Sequence, residues 1–194
     1  MKRTINHIAL LVPSAEKAAD VARRAGLHVG PTEEFEGEGT REIYVSADDH
    51  TSSLLLMEPI GDGAYSRAMA KRGPGLHHIA IDVLSLDEFI AGLSSTGWLL
   101  HPKSLHTIKK TQTAFLARPG FPMLVEVQER KSIETKPLFI QRMALPLNEA
   151  NTKLLMHLGV EQIVSMGEES WLDFGKVRIE LQVFWTKYSI LLTD

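Results

Sequence analysis

His7-Ile8-Ala9-Leu10 returns 71 positions later as His78-Ile79-Ala80-Ile81. The same spacing carries Ser14 to Ser85, Gly26 to Gly97 and Tyr44-Val45-Ser46-Ala47 to Phe115-Leu116-Ala117-Arg118, with no gap. Internal repetition of this kind identifies the unit from which a fold is assembled. In each copy a short alternating apolar stretch leads into a serine followed by helix-forming residues, as a strand followed by a capped helix requires. Ser85 has Glu88 three residues on, the spacing of a capping box. Gly26 and Gly97 stand where a helix end favours a left-handed residue. β-type runs follow: Glu42–Ala47 and Ser53–Met57 in the first copy, Thr113–Ala117 and Met123–Val127 in the second. The unit is βαβββ.

Outward from this pair, a third and compressed copy is expected, with Met143-Ala144-Leu145 as its first strand, Asn148 as helix cap, Gly159 as helix stop and Ile179-Glu180-Leu181 in its last strand. The fold class is therefore α+β: paired βαβββ modules over 4–60 and 76–129, together domain 1–130, form a cupped mixed sheet, and 137–194 forms the third module. A unit of about 55 residues buries too little surface to stand alone. The third module should accordingly cover its sheet with a partner chain or pack on the first pair, with the apolar tail from Phe184 to Leu192 sharing in that burial. Ala64 to Lys71 reads as a short helix between the modules, ended by Gly73-Pro74-Gly75, and the charged residues 130–137 read as a linker.

Composition narrows the function. With 44% apolar and 23% charged residues and no Cys, disordered, disulfide-stapled and cysteine-based zinc or nucleophile classes are excluded. A net charge of -3 offers no general basic face for nucleic acid. The apolar stretches reach about half of the roughly 20 residues that span a bilayer, and the stretch after Met1-Lys2-Arg3 is too short for a signal peptide. A cytoplasmic protein that binds a small molecule, contacts neither nucleic acid nor membrane and forms a homodimer is the expectation.

Alternation on the first strands places His7, Ala9 and Leu11 on one face and Ile8, Leu10 and Val12 on the other. The second face is continuously apolar and belongs under the helices, so His7 and His78 point into the concave side. Glu126, within Leu124-Val125-Glu126-Val127, puts a carboxylate inside an apolar strand, where an unpaired charge is costly. Two imidazoles and this carboxylate read either as a metal-ligating set or as hydrogen-bonded structural residues, with a metal or a proton-sharing substrate as the partner of Glu126. His77 has the opposite parity and reads as a surface residue or one standing behind the ligands. His28, His50, His101, His106 and His157 lack matched partners and read as solvated. The run Glu33-Glu34-Phe35-Glu36-Gly37-Glu38 reads as a charged loop that overhangs the cup and supplies a base, or as solvated charge.

At these residues the chain resembles the vicinal oxygen chelate superfamily, over about residues 4 to 129. The likeness is greatest to methylmalonyl-CoA epimerases, through His7-Ile8-Ala9, Met57-Glu58-Pro59-Ile60, Leu124-Val125-Glu126 and the run from Lys71-Arg72-Gly73-Pro74-Gly75 to Leu76-His77-His78-Ile79-Ala80. The resemblance implies paired βαβββ modules around a divalent metal held by His7, His78 and Glu126, with Co, Mn, Zn, Ni and Fe all open. Its fourth ligand falls at Leu55, which cannot bind a metal; Ser53 shares that strand face and Glu58 does not. The epimerase-type base in the loop falls at Gly37, leaving Glu36 or Glu38 for the role beside Glu126. The implied activity is abstraction of a proton α to a carbonyl, as in epimerisation of methylmalonyl-CoA. A glyoxalase-type lyase, an Fe(II) dioxygenase-like enzyme and a metal-free binding protein of the same superfamily are the alternatives.

Overall fold

The computed structural model describes residues 2–134, 136–160 and 164–186. The first repeat contributes β1 (Arg3–Leu11), α1 (Ala15–Arg24), β2 (Val29–Phe35), β3 (Thr40–Val45) and β4 (Ser53–Pro59). After α2 (Ala64–Arg72), the second contributes β5 (Gly75–Val83), α3 (Leu86–Ala91), β6 (Leu99–Leu100), α4 (Ser104–Thr111), β7 (Thr113–Ala117) and β8 (Leu124–Glu129). These strands form one eight-stranded sheet in the order β2-β3-β4-β1-β5-β8-β7-β6. In each module the first strand lies parallel to the last, and β1 runs antiparallel to β5, which joins the modules at the centre.

The helices form where their caps and apolar spacing dictate. Ser14 accepts a hydrogen bond from the Lys17 amide and Ser85 one from the Glu88 amide, satisfying free N–H groups of the first turns of α1 and α3. Ala15, Ala18, Ala19 and Ala22 bury one face of α1, which ends against Gly26 at φ 76°. The α3 helix is shorter than the repeat implied. It stops at Ala91, and Gly97, although left-handed, follows two further turns. Ile8, Leu10, Ile43, Leu54, Leu56, Ile79, Ile81, Val125 and Val127 line the helix side of the sheet in a continuous core. The opposite face carries a smaller apolar cluster of Ala9, Leu11, Leu55 and Met57, on which Tyr65, Ala68 and Met69 of α2 rest.

Strict alternation fails at two places. Ile5 packs in the helix-side core with Ile8, because Asn6 is an extra residue in the β1–β5 pairing. His77 is the corresponding extra residue on β5, between the His78–Ala9 and Leu76–Leu10 pairs. The acidic run also departs from expectation. Glu33-Glu34-Phe35 belongs to edge strand β2, and only Glu36 to Gly39 form a turn. An exposed edge strand needs no apolar alternation, so its sequence looks like a loop.

The C-terminal unit contains β9 (Arg142–Leu145), α5 (Glu149–Met156), β10 (Val164–Met166), β11 (Trp171–Asp173), β12 (Arg178–Glu180) and a 3-10 turn Leu181–Phe184. Asn148 caps α5 through the Asn151 amide, and Gly159 is left-handed at φ 71°. The β-α-β-β-β succession returns, but the sheet runs β10-β9-β11-β12, so the last strand takes an edge instead of pairing with the first. The unit packs behind the helices: its Leu147, Leu154, Leu155 and Leu158 share one core with Phe89, Leu93 and Trp98. Phe184 is buried there, while the rest of the expected apolar tail, from residue 187, lies outside the described residues. Among the described residues no helix is long and apolar enough to cross a membrane.

Candidate metal centre

Ala80 on β5 stands opposite His7 on β1 and Glu126 on β8, so one small residue leaves room for both side chains above it. Ala9 is its counterpart, flanked by His78 on β5 and Leu55 on β4. The two Nε2 atoms of His7 and His78 meet 2.9 Å apart, and Glu126 Oε2 lies 3.3 Å from His78 Nε2. A ligating atom from each of the three residues falls within 4.8 Å of the others. Both histidines are at most 5% exposed.

The electrostatics suit cation ligation. Burial, helped by Arg130, lowers the His7 pKa to about 4. Burial and the neighbouring His7, His77 and Lys103 hold His78 well below the usual imidazole range. Both rings are thus uncharged at neutral pH with lone pairs to donate, the form a metal requires. The His7 Nδ1 lies 2.8 Å from Asn6 Oδ1, which can only accept, so its Nε2 is bare. The His78 Nδ1 lies 2.9 Å from His77 Nδ1. The 2.9 Å Nε2 separation is a hydrogen bond between the two rings, and it is close to the roughly 3 Å that separates two ligands about 2.1 Å from one ion at right angles. Leu55, 3% exposed, walls the fourth side with hydrocarbon.

Glu126 is pushed above the usual carboxylate range by burial, against a lowering hydrogen bond from Gln128. A second carboxylate occupies the cup. Glu42 on β3 is 7% exposed, accepts from Thr40 Oγ1 at 2.9 Å, and is raised by burial and by the Glu38, Glu126 and Glu33 charges. Its burial has a weaker sequence signal than that of Glu126, because Glu42 follows the charged Arg41 and only Ile43-Tyr44-Val45 after it is apolar. Tyr44 meets the His7 ring edge-on at 6.2 Å, and burial raises its phenol to about 12. Glu36 is exposed in the β2–β3 turn, and Glu38 beside it accepts from the Tyr65 hydroxyl at 3.0 Å. Both line a cavity of ≈ 360 Å³ at the mouth of the cup with Tyr65 and Lys103, apart from the three-residue cluster. His77 is buried, tilted against Tyr65 with ring centroids 5.1 Å apart, so of its two expected locations it occupies the one behind His78. His28, His106 and His157 are exposed, whereas His50 pairs with Asp49.

The family model of the glyoxalase/bleomycin resistance protein/dioxygenase superfamily matches residues 6–115, which include both modules' first strands. The chain belongs to this superfamily. Solved structures of the same fold include a hypothetical protein from Bacillus halodurans C-125, 24% identical, with TM-score 0.57 over 70% of this chain and 100% of that one. Methylmalonyl-CoA epimerase from Mycobacterium tuberculosis is 21% identical, with TM-score 0.51 over 64% and 86% of the two chains. A selenomethionine methylmalonyl-CoA epimerase is 25% identical, with TM-score 0.52 over 66% and 95%. No curated protein matches the sequence. Within this superfamily chain, the matched region ends before Glu126, so the carboxylate of the cluster rests on the geometry described above.

Proposed function

We propose that the cup is a divalent-metal site at which a proton α to a carbonyl is abstracted, as in the epimerisation of methylmalonyl-CoA. The observation that carries this reading is the pairing of a cation-competent His7–His78–Glu126 cluster with a second buried carboxylate, Glu42, on the same side of the sheet. A divalent ion bound there would supply Lewis acidity toward a carbonyl oxygen. The chain's own residues would do the rest. Inverting a carbon centre requires proton-transfer groups on opposite faces. Glu42 comes from module one and Glu126 from module two, and burial raises the carboxyl of Glu42, the one of the two that lies outside the ligand cluster, above its ordinary value. Glu38 and Glu36 lie at the rim, where Glu38 contributes charge that raises Glu42 and Glu126. Leu55 and Met57, packed under α2, add an apolar wall to the same face.

The structural likeness to proteins described as methylmalonyl-CoA epimerases, one in complex with methylmalonyl-CoA, supports the substrate class. The decisive experiment follows exchange of the α-proton of methylmalonyl-CoA in deuterated water, with Co(II) or Mn(II) supplied. Exchange by the wild type should fall by about 100-fold or more in Glu126→Gln and in Glu42→Gln. A metal-loaded wild type that exchanges nothing would remove the proposal. A second reading is favoured by Leu55, which leaves two histidines and one carboxylate, a set also suited to Fe(II) oxygenase chemistry. Oxygen consumption with Fe(II) and catechol-type substrates, in the absence of α-proton exchange, would select it.

A further inference from the structure

Behind the ligands runs a chain of hydrogen bonds that joins His7 to Glu126 by a second route. His7 Nδ1 meets Asn6 Oδ1 at 2.8 Å, Asn6 Nδ2 donates to Asp82 Oδ2 at 2.9 Å, and Arg130 Nε donates to Asp82 Oδ1 at 3.0 Å. The Arg130 guanidinium also donates to Gln128 Oε1, and Gln128 Nε2 donates to Glu126 Oε1 at 2.6 Å. We propose that Asn6, Asp82, Arg130 and Gln128 are positioning residues that fix the Nδ1–H tautomer of His7 and turn the Oε2 edge of Glu126 into the cup, presetting both ligands for a divalent cation. This inference rests on the metal reading of the cup.

The direction of every bond in the chain is determined by its two charged members. A carboxylate only accepts and a guanidinium only donates. Asp82 therefore compels Asn6 to face it with the amide NH2, which leaves the Asn6 carbonyl oxygen toward His7. His7 must place its proton on Nδ1, and Nε2 is left as a bare donor. Arg130 likewise compels Gln128 to present oxygen to it and NH2 to Glu126. One oxygen of Glu126 is then occupied and the other faces His78. Asn6 reaches His7 because it is the extra residue of the β1 bulge, and His77, the extra residue of β5, stands against His78 Nδ1 in the same way. The repeat has used one backbone irregularity twice to put a support behind each imidazole. Such supports typically alter metal affinity by 10–100-fold when removed.

Exchanging the chemistry of two neighbours tests the relay. In Asp82→Asn, the Arg130 guanidinium retains the amide oxygen, so the new NH2 faces Asn6, whose amide turns over and offers NH2 to His7. In the double variant Asn6→Asp/Asp82→Asn, the carboxylate moves next to His7, the amide next to Arg130, and every bond is restored with the original tautomer. The tautomer of His7 is read from long-range nitrogen–proton NMR correlations in metal-free protein at pH 7.5, and Co(II) affinity from titration of the visible absorption. The expected result is a switch to the Nε2–H tautomer in Asp82→Asn with Co(II) affinity about 10–100-fold weaker, and return of both to near wild type in the double variant. An unchanged tautomer and affinity in Asp82→Asn, or a folded double variant that stays at Nε2–H, would overturn the proposal. Should Asp82→Asn fail to fold, the double variant alone decides by the same criterion. A wild type that takes up no Co(II) would remove the metal reading and leave the tautomer comparison standing.

Discussion

Three buried imidazoles are concentrated at the β1–β5 seam, and their burial has a cost that depends on pH. His7 and His77 are both lowered to about 4, His7 by burial and then Arg130, His77 by burial and then Arg72 and Lys103. In the unfolded chain each would titrate near its ordinary value of 6.5. Between pH 6.5 and 4 the unfolded state therefore binds protons that the folded state refuses, and stability falls as pH falls through that window. Each histidine contributes about 1.4 kcal/mol per pH unit over the range where only the unfolded state is charged. Glu42 and Glu126 act in the opposite sense, because their raised values favour the folded state once the carboxyls protonate, and this limits the loss at the acid end. Urea unfolding of the metal-free protein should show a fall of several kcal/mol from pH 7 to pH 4.5, on the order of the summed histidine terms. A midpoint that does not move across this range would contradict the buried neutral state of these rings.

At the scale of elements, the repeat extends to an interaction that sequence spacing foreshadows but parity alone does not reveal. Glu58 at the end of β4 accepts from the Ala15 amide at 2.9 Å, and Glu129 at the end of β8 accepts from the Leu86 amide at 2.7 Å. The last strand of each module thus anchors the first turn of its own helix with a carboxylate placed at the positive end of the helix. The box expected between Ser85 and Glu88 is accordingly only half used: Ser85 takes the Glu88 amide, and Glu129 takes the Leu86 amide. Glu58→Gln should cost about 1–2 kcal/mol by weakening a charge-assisted bond and the Arg41 ion pair at 3.0 Å. Glu129→Gln, without the Arg41 contact, should cost less, and equal losses in thermal unfolding would argue against the ion pair's share. The helix caps, the apolar faces and the inward-facing His7 and His78 were legible because each depends on local spacing. The bulges at Asn6 and His77, the edge strand of Glu33-Glu34-Phe35 and the buried Glu42 were not, since pairing register and neighbouring strands decide them. The clustering of His7, His78 and Glu126 was legible because the cup's parity is set by the long apolar runs on either side of it, and the hydrogen bonds behind them were not because they cross between modules.

Over the whole molecule, the C-terminal unit forms a four-stranded sheet of its own beside the eight-stranded one. Its attachment is nonetheless intimate. The Trp98 indole, at the end of the α3 region, donates to the Leu154 carbonyl of α5 at 3.1 Å, while Arg3 of β1 donates to the His157 carbonyl at 2.6 Å. One hydrophobic core runs from Ile8 and Ile79 through Phe89 and Trp98 to Leu155, Leu158 and Leu172 without interruption. A core shared across the junction couples the two sheets, so the two should unfold together. Native-state hydrogen exchange should then give slowly exchanging amides of β1 and β5 and those of β9 and β11 the same limiting free energy. Trp98→Ala, which removes a buried indole and its hydrogen bond across the junction, should lower both by about 3–5 kcal/mol. If the β9 and β11 amides instead exchange at a distinctly lower free energy, and Trp98→Ala lowers only theirs, the C-terminal unit opens independently. The cup would in that case keep its stability without that unit, since His7, His78, Glu126 and the residues hydrogen-bonded behind them all lie within residues 6–130.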